Sequence, residues 1–455
     1  TFWRLRSQLR TTTTRCSSSV TGACENANDT AGGTVRRVIA TPPPRSVCEV
    51  PEAESTAAQA QSADERTRLA PAIAAAAWPV AVLLVLHRLF ILARAGSVTD
   101  DFTTVWSATR RFIDRVPVYD EVYSHVNPHY LYNPGATLLL SPLGLISDIN
   151  LARPLFIAVN AACIVAALAW LTKIAGRPLP GPVFPVAIAL AFCTEAVTNT
   201  LVFSNINGVL LLALVAFIAL LLARRDIAAG VVLGLAILVK PMFAPLLVLP
   251  LLQLRWRPAL GALGVPVAMN LVAWPLTPGA RDYLDVVVPY LRITRDYANS
   301  SLPGFAVYFG MPPWSQAVLW SLLAAAVAGA VLGLARWRQT DELLYFAAGS
   351  GVLLAGVCLL SSLGQAYYSM MLFPALFTIF HKDSPMRSWA AWLGAALCLS
   401  PLDWVSDNHS LFGGWLNTFL PTLGWAVFIV SCATWVLSRA PKRDTSTTRT
   451  ERTVR

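Results

Sequence analysis

The sequence predicts an all-α polytopic membrane protein with about twelve transmembrane helices. Of its 455 residues, 55% are hydrophobic and only 13% are charged, about half the charged fraction of an average soluble protein. The apolar residues also fall into successive runs, many of which approach the roughly 20 residues that cross a bilayer core. The formal net charge of +10 does not indicate nucleic-acid binding, because the basic residues cluster in short loops between the apolar runs.

Two polar tails flank the apolar part of the chain. Residues 1–68 are rich in Thr, Ser, Arg and Ala without apolar periodicity, which predicts a disordered cytoplasmic extension. Residues 441–455 are predicted to form a disordered cytoplasmic tail. The transmembrane domain, residues 69–440, begins with a span from about Pro71 to Ala95, and two arginines just before it place the N-terminus in the cytoplasm.

A polar and aromatic stretch, Gly96–Pro134, follows the first span. It opens on two adjacent carboxylates, Asp100 and Asp101. From Phe102 to Val116, apolar residues recur at helical spacing, which predicts an amphipathic helix at a membrane interface. Beyond this helix come rings that suit the apolar faces and hydroxyl groups of a sugar, and the predicted sugar or acceptor ligands are Tyr119, His129, Tyr130 and Tyr132.

The remaining apolar runs lie between Leu151 and Leu437. The short piece Ala136–Ile146 is interpreted as re-entrant or interfacial, because counting it as a span would move the later basic loops to the other side of the membrane. Without it, the cytoplasmic loops carry Lys173 with Arg177, Arg224 with Arg225, Arg255 with Arg257, Arg336 with Arg338, Lys382 with Arg387, and Arg439 with Lys442 and Arg443. The polar loops at the opposite ends of the spans then lie on the outer face of the membrane. The functional site is expected at that face.

Charged side chains at that face suggest chemistry. Asp100 or Asp101 could act as a general base, although the same carboxylates would also cap the helix that follows. Lys240 lies in an apolar stretch and needs an anionic partner such as a phosphate, with snorkelling to the interface as the alternative. Arg295 is a second candidate phosphate ligand.

Amide and phenol groups at the same face are candidate ligands for sugar hydroxyls. They are Asn199, Asn205, Asn207, Asn299, Gln365 and Tyr367. Helix capping and an aromatic membrane belt are the alternatives for these residues. The sequence contains no Walker A, GxSxG, HExxH or CxxC motif. It therefore predicts neither a nucleotide donor, a metal nor a cofactor, and a donor carried by a lipid would need no phosphate-cradling loop.

Seven stretches together resemble the polyprenyl-phosphate-dependent GT-C glycosyltransferases of family 87, and within it the arabinofuranosyltransferases. They are TDDF at Thr99–Phe102, NPHYLYNPG at Asn127–Gly135, TNTLVFSNING at Thr198–Gly208, LVKP at Leu238–Pro241, TRDYANSS at Thr294–Ser301, VYFGMP at Val307–Pro312 and YYSMMLFP at Tyr367–Pro374.

The resemblance implies a GT-C fold at the plasma membrane with its active site on the extracytoplasmic face. It implies decaprenyl-phospho-arabinofuranose as donor and an arabinan of arabinogalactan or lipoarabinomannan as acceptor. Transfer would invert the donor's anomeric configuration and form α(1→3) branches. The family's first-loop aspartate maps best onto Asp101, with Asp100 as competitor. The alternatives are a polyprenyl-phosphomannose-dependent α-mannosyltransferase and a lipid-linked sugar transporter, although the internal repeats that a transporter predicts are not visible.

Overall fold

The computed structural model describes residues 52–94, 101–123 and 129–439. Its regular elements in these ranges are all helical. The α-helices are α1 (Glu52–Leu86), α2 (Asp101–Ile113), α3 (Pro134–Leu140), α4 (Ile149–Ile174), α5 (Val183–Cys193), α6 (Glu195–Val202), α7 (Asn207–Leu222), α8 (Asp226–Val239), α9 (Val248–Leu252), α10 (Arg257–Ala273), α11 (Val288–Leu291), α12 (Leu302–Phe309), α13 (Pro313–Leu334), α14 (Glu342–Leu360), α15 (Phe373–Phe377), α16 (Trp389–Cys398) and α17 (Ser410–Ser438).

The all-α prediction is confirmed for these residues, and the apolar helices indicate a multi-pass membrane protein. Six of the described helices are long and apolar enough to cross a membrane, and the pair α5 and α6, bent by 65°, would make a seventh. The remaining apolar helices are shorter, at 10–17 residues. The structure therefore does not confirm twelve spans. One of these shorter helices, α8, ends before Lys240, and the chain continues through Pro241–Leu247 as a 3₁₀-helix. Proline cannot donate the backbone hydrogen bond that would continue the α-helix.

Two helix boundaries differ from the sequence predictions. α1 begins at Glu52, inside the segment predicted to be disordered, because Ala, Glu and Gln favour a helix even without apolar periodicity. The last apolar run of the sequence extends from about Thr422 to Leu437, whereas α17, which contains it, begins at Ser410. Its added turns carry Trp415, whose Nε1 donates to the Tyr308 hydroxyl at 2.9 Å, so contacts with α12 support a stretch of weak hydropathy. Residues 1–51 and 441–455, parts of the predicted tails, lie outside the described residues.

The predicted amphipathic helix is present as α2. Its apolar side, including Phe102, Val105 and Phe112, is buried. This side packs against α3 and the 3₁₀-turn Ser141–Leu145. At Gly144 a Cβ atom would come within 2.9 Å of the Thr109 carbonyl oxygen, so the small residue permits the close approach of this turn. The packing fixes the start of α2, where Asp101 lies.

The helix α14 forms much of the core, and 83% of the residues in its most apolar stretch are buried. After α14 the chain turns through Ser361–Gln365 into the 3₁₀-helix Ala366–Leu372, which packs along α6. The residues of the candidate site lie at the starts of α2 and α7, at the break after α8 and on this 3₁₀-helix.

Candidate active site

One cluster joins a carboxylate to a lysine through an asparagine. The Asn205 Nδ2 donates to Asp101 Oδ2 at 2.5 Å, and the Lys240 Nζ donates to Asn205 Oδ1 at 2.9 Å. Lys240 also donates to Asn207 Oδ1 at 2.8 Å, and the Tyr367 hydroxyl donates to Asp101 Oδ2 at 3.3 Å. With Tyr368, these residues form what we call the Asp101–Lys240 cluster.

The lysine of this cluster is buried but is not neutralised by a contacting carboxylate. Lys240 is 8% exposed. Besides the two amide oxygens, its Nζ lies 4.5 Å from the centre of the Tyr368 ring and 5.8 Å from that of Tyr367. Within the described parts of the chain, no acidic side chain pairs directly with it. Amide oxygens and ring faces stabilise a cation without cancelling its charge, so the site attracts an anion.

Local backbone conformations place both asparagines. Ser204, at the end of α6, has a φ of 51°, which turns the chain between α6 and α7. The Asn160 Oδ1 then accepts from the backbone nitrogens of Gly208 and Val209, at 3.0 and 3.3 Å. A Cβ atom at Gly208 would come within 2.5 Å of the Asn160 carbonyl oxygen. The turn can therefore approach α4 closely enough to hold Asn205 and Asn207 in position.

The two carboxylate oxygens of Asp101 differ in their contacts with the described residues. Its backbone nitrogen donates to the Phe203 carbonyl at 3.0 Å. Oδ2 accepts the two side-chain bonds given above, whereas Oδ1 has no hydrogen-bond partner among the described residues. The enclosed space beside Asp101 and Tyr132 measures about 10 Å³, roughly what one water molecule requires. A sugar would thus have to reach Asp101 from its partly exposed side.

Arg295, the second predicted phosphate ligand, contacts two tyrosine rings. Its guanidinium group lies over the rings of Tyr290 and Tyr297, at 5.6 and 5.9 Å from their centres. These rings are its aromatic contacts, whereas Lys240 lies over the ring of Tyr368. Gln365, half-buried, accepts at its carbonyl oxygen from the Tyr368 nitrogen at 3.0 Å.

Several predicted sugar ligands in the first loop contact the protein itself. The Tyr119 hydroxyl donates to the Tyr132 carbonyl at 2.9 Å, and the Tyr130 hydroxyl lies 2.8 Å from Thr137 Oγ1. Burial raises the pKa of both phenols, so they stay protonated. His129 lies 3.6 Å from a Glu121 carboxylate oxygen. These contacts give the loop its own core and do not support a direct role in sugar binding for Tyr119, Tyr130 or His129.

Two predicted asparagine ligands have local structural contacts instead. The Asn199 Nδ2 donates to Glu195 Oε1 at 3.0 Å, one turn away on α6. Asn299 is 2% exposed. Its Nδ2 donates to two carbonyl oxygens and its Oδ1 accepts from two backbone nitrogens, which joins the loop before α12 to the turn after α14. Asn299 thus has no free polar position for a sugar.

Two further residues matter that the sequence analysis did not select as site residues. Tyr368 contacts Lys240, and its place beside Tyr367 was the only sequence signal. Asn133 caps α3, and its Nδ2 donates to the Leu238 carbonyl at 2.8 Å, just before Lys240. Nothing in the sequence indicates that contact. Asp100 lies outside the described residues.

Comparison with known proteins supplies independent findings. The model of glycosyltransferase family 87 matches residues 130–362. An alpha-(1->3)-arabinofuranosyltransferase of Corynebacterium glutamicum is 52% identical over 357 residues, which cover 78% of this chain and 85% of that protein. The enzyme of the same name from Mycobacterium tuberculosis H37Rv is 42% identical over 359 residues, 78% of this chain and 83% of the relative. That of Mycolicibacterium smegmatis is 39% identical over 357 residues, with the same two coverages of 78% and 83%.

Proposed function

The chain belongs to glycosyltransferase family 87, and we propose that it transfers an arabinofuranosyl residue from decaprenyl-phospho-arabinofuranose to a cell-wall arabinan, forming α(1→3) branches. The names of the relatives support the sugar and the linkage. The observation that carries the proposal is the Asp101–Lys240 cluster, which brings a carboxylate, one of whose oxygens bonds to no described residue, next to a buried cation. We place the enzyme in the plasma membrane with this cluster at the extracytoplasmic face, as the basic loops at the opposite ends of the predicted spans favour.

In the proposed reaction, Asp101 Oδ1 takes the proton of an acceptor hydroxyl while the hydroxyl oxygen attacks the anomeric carbon of the donor. The bond between that carbon and the phosphate oxygen breaks, and its electrons leave with the lipid phosphate. One displacement converts a β-linked donor into an α-linked product. No general acid is required, because the leaving phosphate does not need a proton.

The leaving group gains one negative charge as the bond breaks, so a nearby cation stabilises the transition state more than the ground state. Lys240 supplies this charge from a buried position, where electrostatic interactions are stronger than in bulk water. Arg295 is the second candidate ligand for the departing phosphate. Asn207 and Tyr367 hold the lysine and the carboxylate, respectively.

A transfer assay tests this function. The full chain, purified in detergent, is given synthetic polyprenyl-phospho-arabinofuranose and a linear arabinan acceptor, and the linkage of the product is determined. We expect new α(1→3) branches. Parallel reactions receive the polyprenyl-phosphomannose donor. Transfer of mannose without arabinose would establish a mannosyltransferase instead, and transfer of neither sugar by folded protein would contradict the proposed reaction.

A further inference from the structure

Asn205 is held on both sides by the two charged residues of the cluster. It is 4% exposed. Its Nδ2 is within 2.5 Å of Asp101 Oδ2 and, at 3.5 Å, contacts the Tyr367 hydroxyl. Its Oδ1 accepts from Lys240. The nitrogen and the oxygen of this buried amide therefore both bond to protein groups, including the two charged residues of the cluster.

The chemistry of its neighbours fixes how the amide faces. An ammonium group only donates hydrogen bonds and an ionised carboxylate only accepts them. The oxygen of Asn205 must therefore face Lys240 and its nitrogen must face Asp101. An aspartate at this position would bring a second negative charge against Asp101, and an aliphatic side chain would remove one hydrogen-bond partner from each of the two charged neighbours.

We propose that Asn205 is a positioning residue, which aims Asp101 Oδ1 at the acceptor hydroxyl and couples the charge of Lys240 to the carboxylate. This inference rests on the proposed function. Because Oδ2 is fixed by Asn205 and Tyr367, rotation of the carboxylate is restricted and Oδ1 remains the free acceptor. Because the same amide accepts from an ammonium group, its N–H is polarised and becomes a stronger donor to Asp101.

Asn207 provides the matched control, because it contacts Lys240 at 2.8 Å and lies on the same turn but makes no hydrogen bond to Asp101. The variants are Asn205→Ala, Asn205→Gln, Asn205→Asp and Asn207→Ala in the full chain. For each we would measure kcat and the donor KM and record thermal unfolding. The donor is whichever polyprenyl-phospho sugar the wild type accepts, so a wrong sugar assignment does not prevent the comparison.

We expect Asn205→Ala to lower kcat about 10- to 100-fold, since hydrogen bonds to charged groups have effects of this size. Asn205→Gln should recover part of kcat, and Asn205→Asp should not. Asn207→Ala should raise the donor KM with a smaller loss of kcat, because Asn207 contacts Lys240 but not Asp101. A kcat of Asn205→Ala within about threefold of wild type would overturn the inference, as would equal losses of kcat in Asn205→Ala and Asn207→Ala.

Discussion

Replacing Asp101 by asparagine tests the proposed base with little disturbance of its surroundings. Asn205 and Tyr367 both donate to Oδ2, at 2.5 and 3.3 Å. The new amide oxygen can accept both bonds, and its NH₂ group then takes the place of Oδ1. The variant therefore keeps the contacts that hold the side chain but replaces the free lone pair with a donor.

The expected loss follows from this exchange. A positioned general base contributes about 10²- to 10⁴-fold to the rate, and we expect kcat of Asp101→Asn to fall within that range. This corresponds to about 2.7–5.4 kcal/mol in the activation free energy. The donor KM should stay within about threefold, since Lys240 and Asn207 keep their contacts. The free energy of unfolding should change by less than about 1.5 kcal/mol, because both hydrogen bonds to the side chain persist.

The assay measures initial rates of arabinose transfer by purified full chain over a range of donor concentrations. Asp114→Asn is a matched control on the same segment, since Asp114 forms only an exposed pair with Arg110 at 3.5 Å and should be dispensable. Asp100→Asn, assayed in parallel, distinguishes the role of Asp100 from that of Asp101. If Asp101→Asn retains at least a third of the wild-type kcat, Asp101 is not the base. Loss in Asp100→Asn alone would then transfer the role to Asp100.

Three further substitutions test the surroundings of the cluster. Lys240→Met should lower kcat/KM for the donor at least about tenfold, because the leaving phosphate loses its cation; a change below threefold would argue against phosphate binding there. Asn299→Ala should lower the free energy of unfolding by about 1–3 kcal/mol, measured by chemical or thermal denaturation, because buried backbone groups lose their partners; unchanged stability with a raised acceptor KM would favour sugar binding instead. Gly208→Ala should destabilise by about 1–3 kcal/mol because its Cβ would come within 2.5 Å of the Asn160 carbonyl oxygen. Gly264→Ala, with nothing within 4 Å, is its control and should keep wild-type stability.

Sequence reasoning found the charged members of the cluster because a charge in or beside an apolar run is conspicuous. Lys240 interrupts an apolar stretch and Asp101 follows one, so their cost in a membrane points to a function. The bridge between them leaves no such signal. Asn205 is 104 residues from Asp101 and 35 from Lys240, and only the packing of α2, α7 and α8 brings the three together.

The sequence also does not show which polar side chains already bond to other parts of the protein, as several of the predicted sugar ligands do. Composition shows that Tyr130 and Asn299 are polar and lie near the proposed site. It does not show that a buried backbone group or a threonine hydroxyl already pairs with them. Hydropathy likewise located the apolar runs but did not show that Thr194 separates α5 from α6 inside one of them, which leaves each of these two helices shorter than a span.

The separation of the two charges is what makes the cluster suitable for the proposed transfer. A direct ion pair between Asp101 and Lys240 would direct each charge at the other and leave neither for a substrate. With one amide between them, Asp101 keeps an oxygen for the acceptor hydroxyl and Lys240 keeps its charge for the donor phosphate. Proton removal and departure of the phosphate then occur at opposite ends of one rigid group, as a single displacement at the anomeric carbon requires.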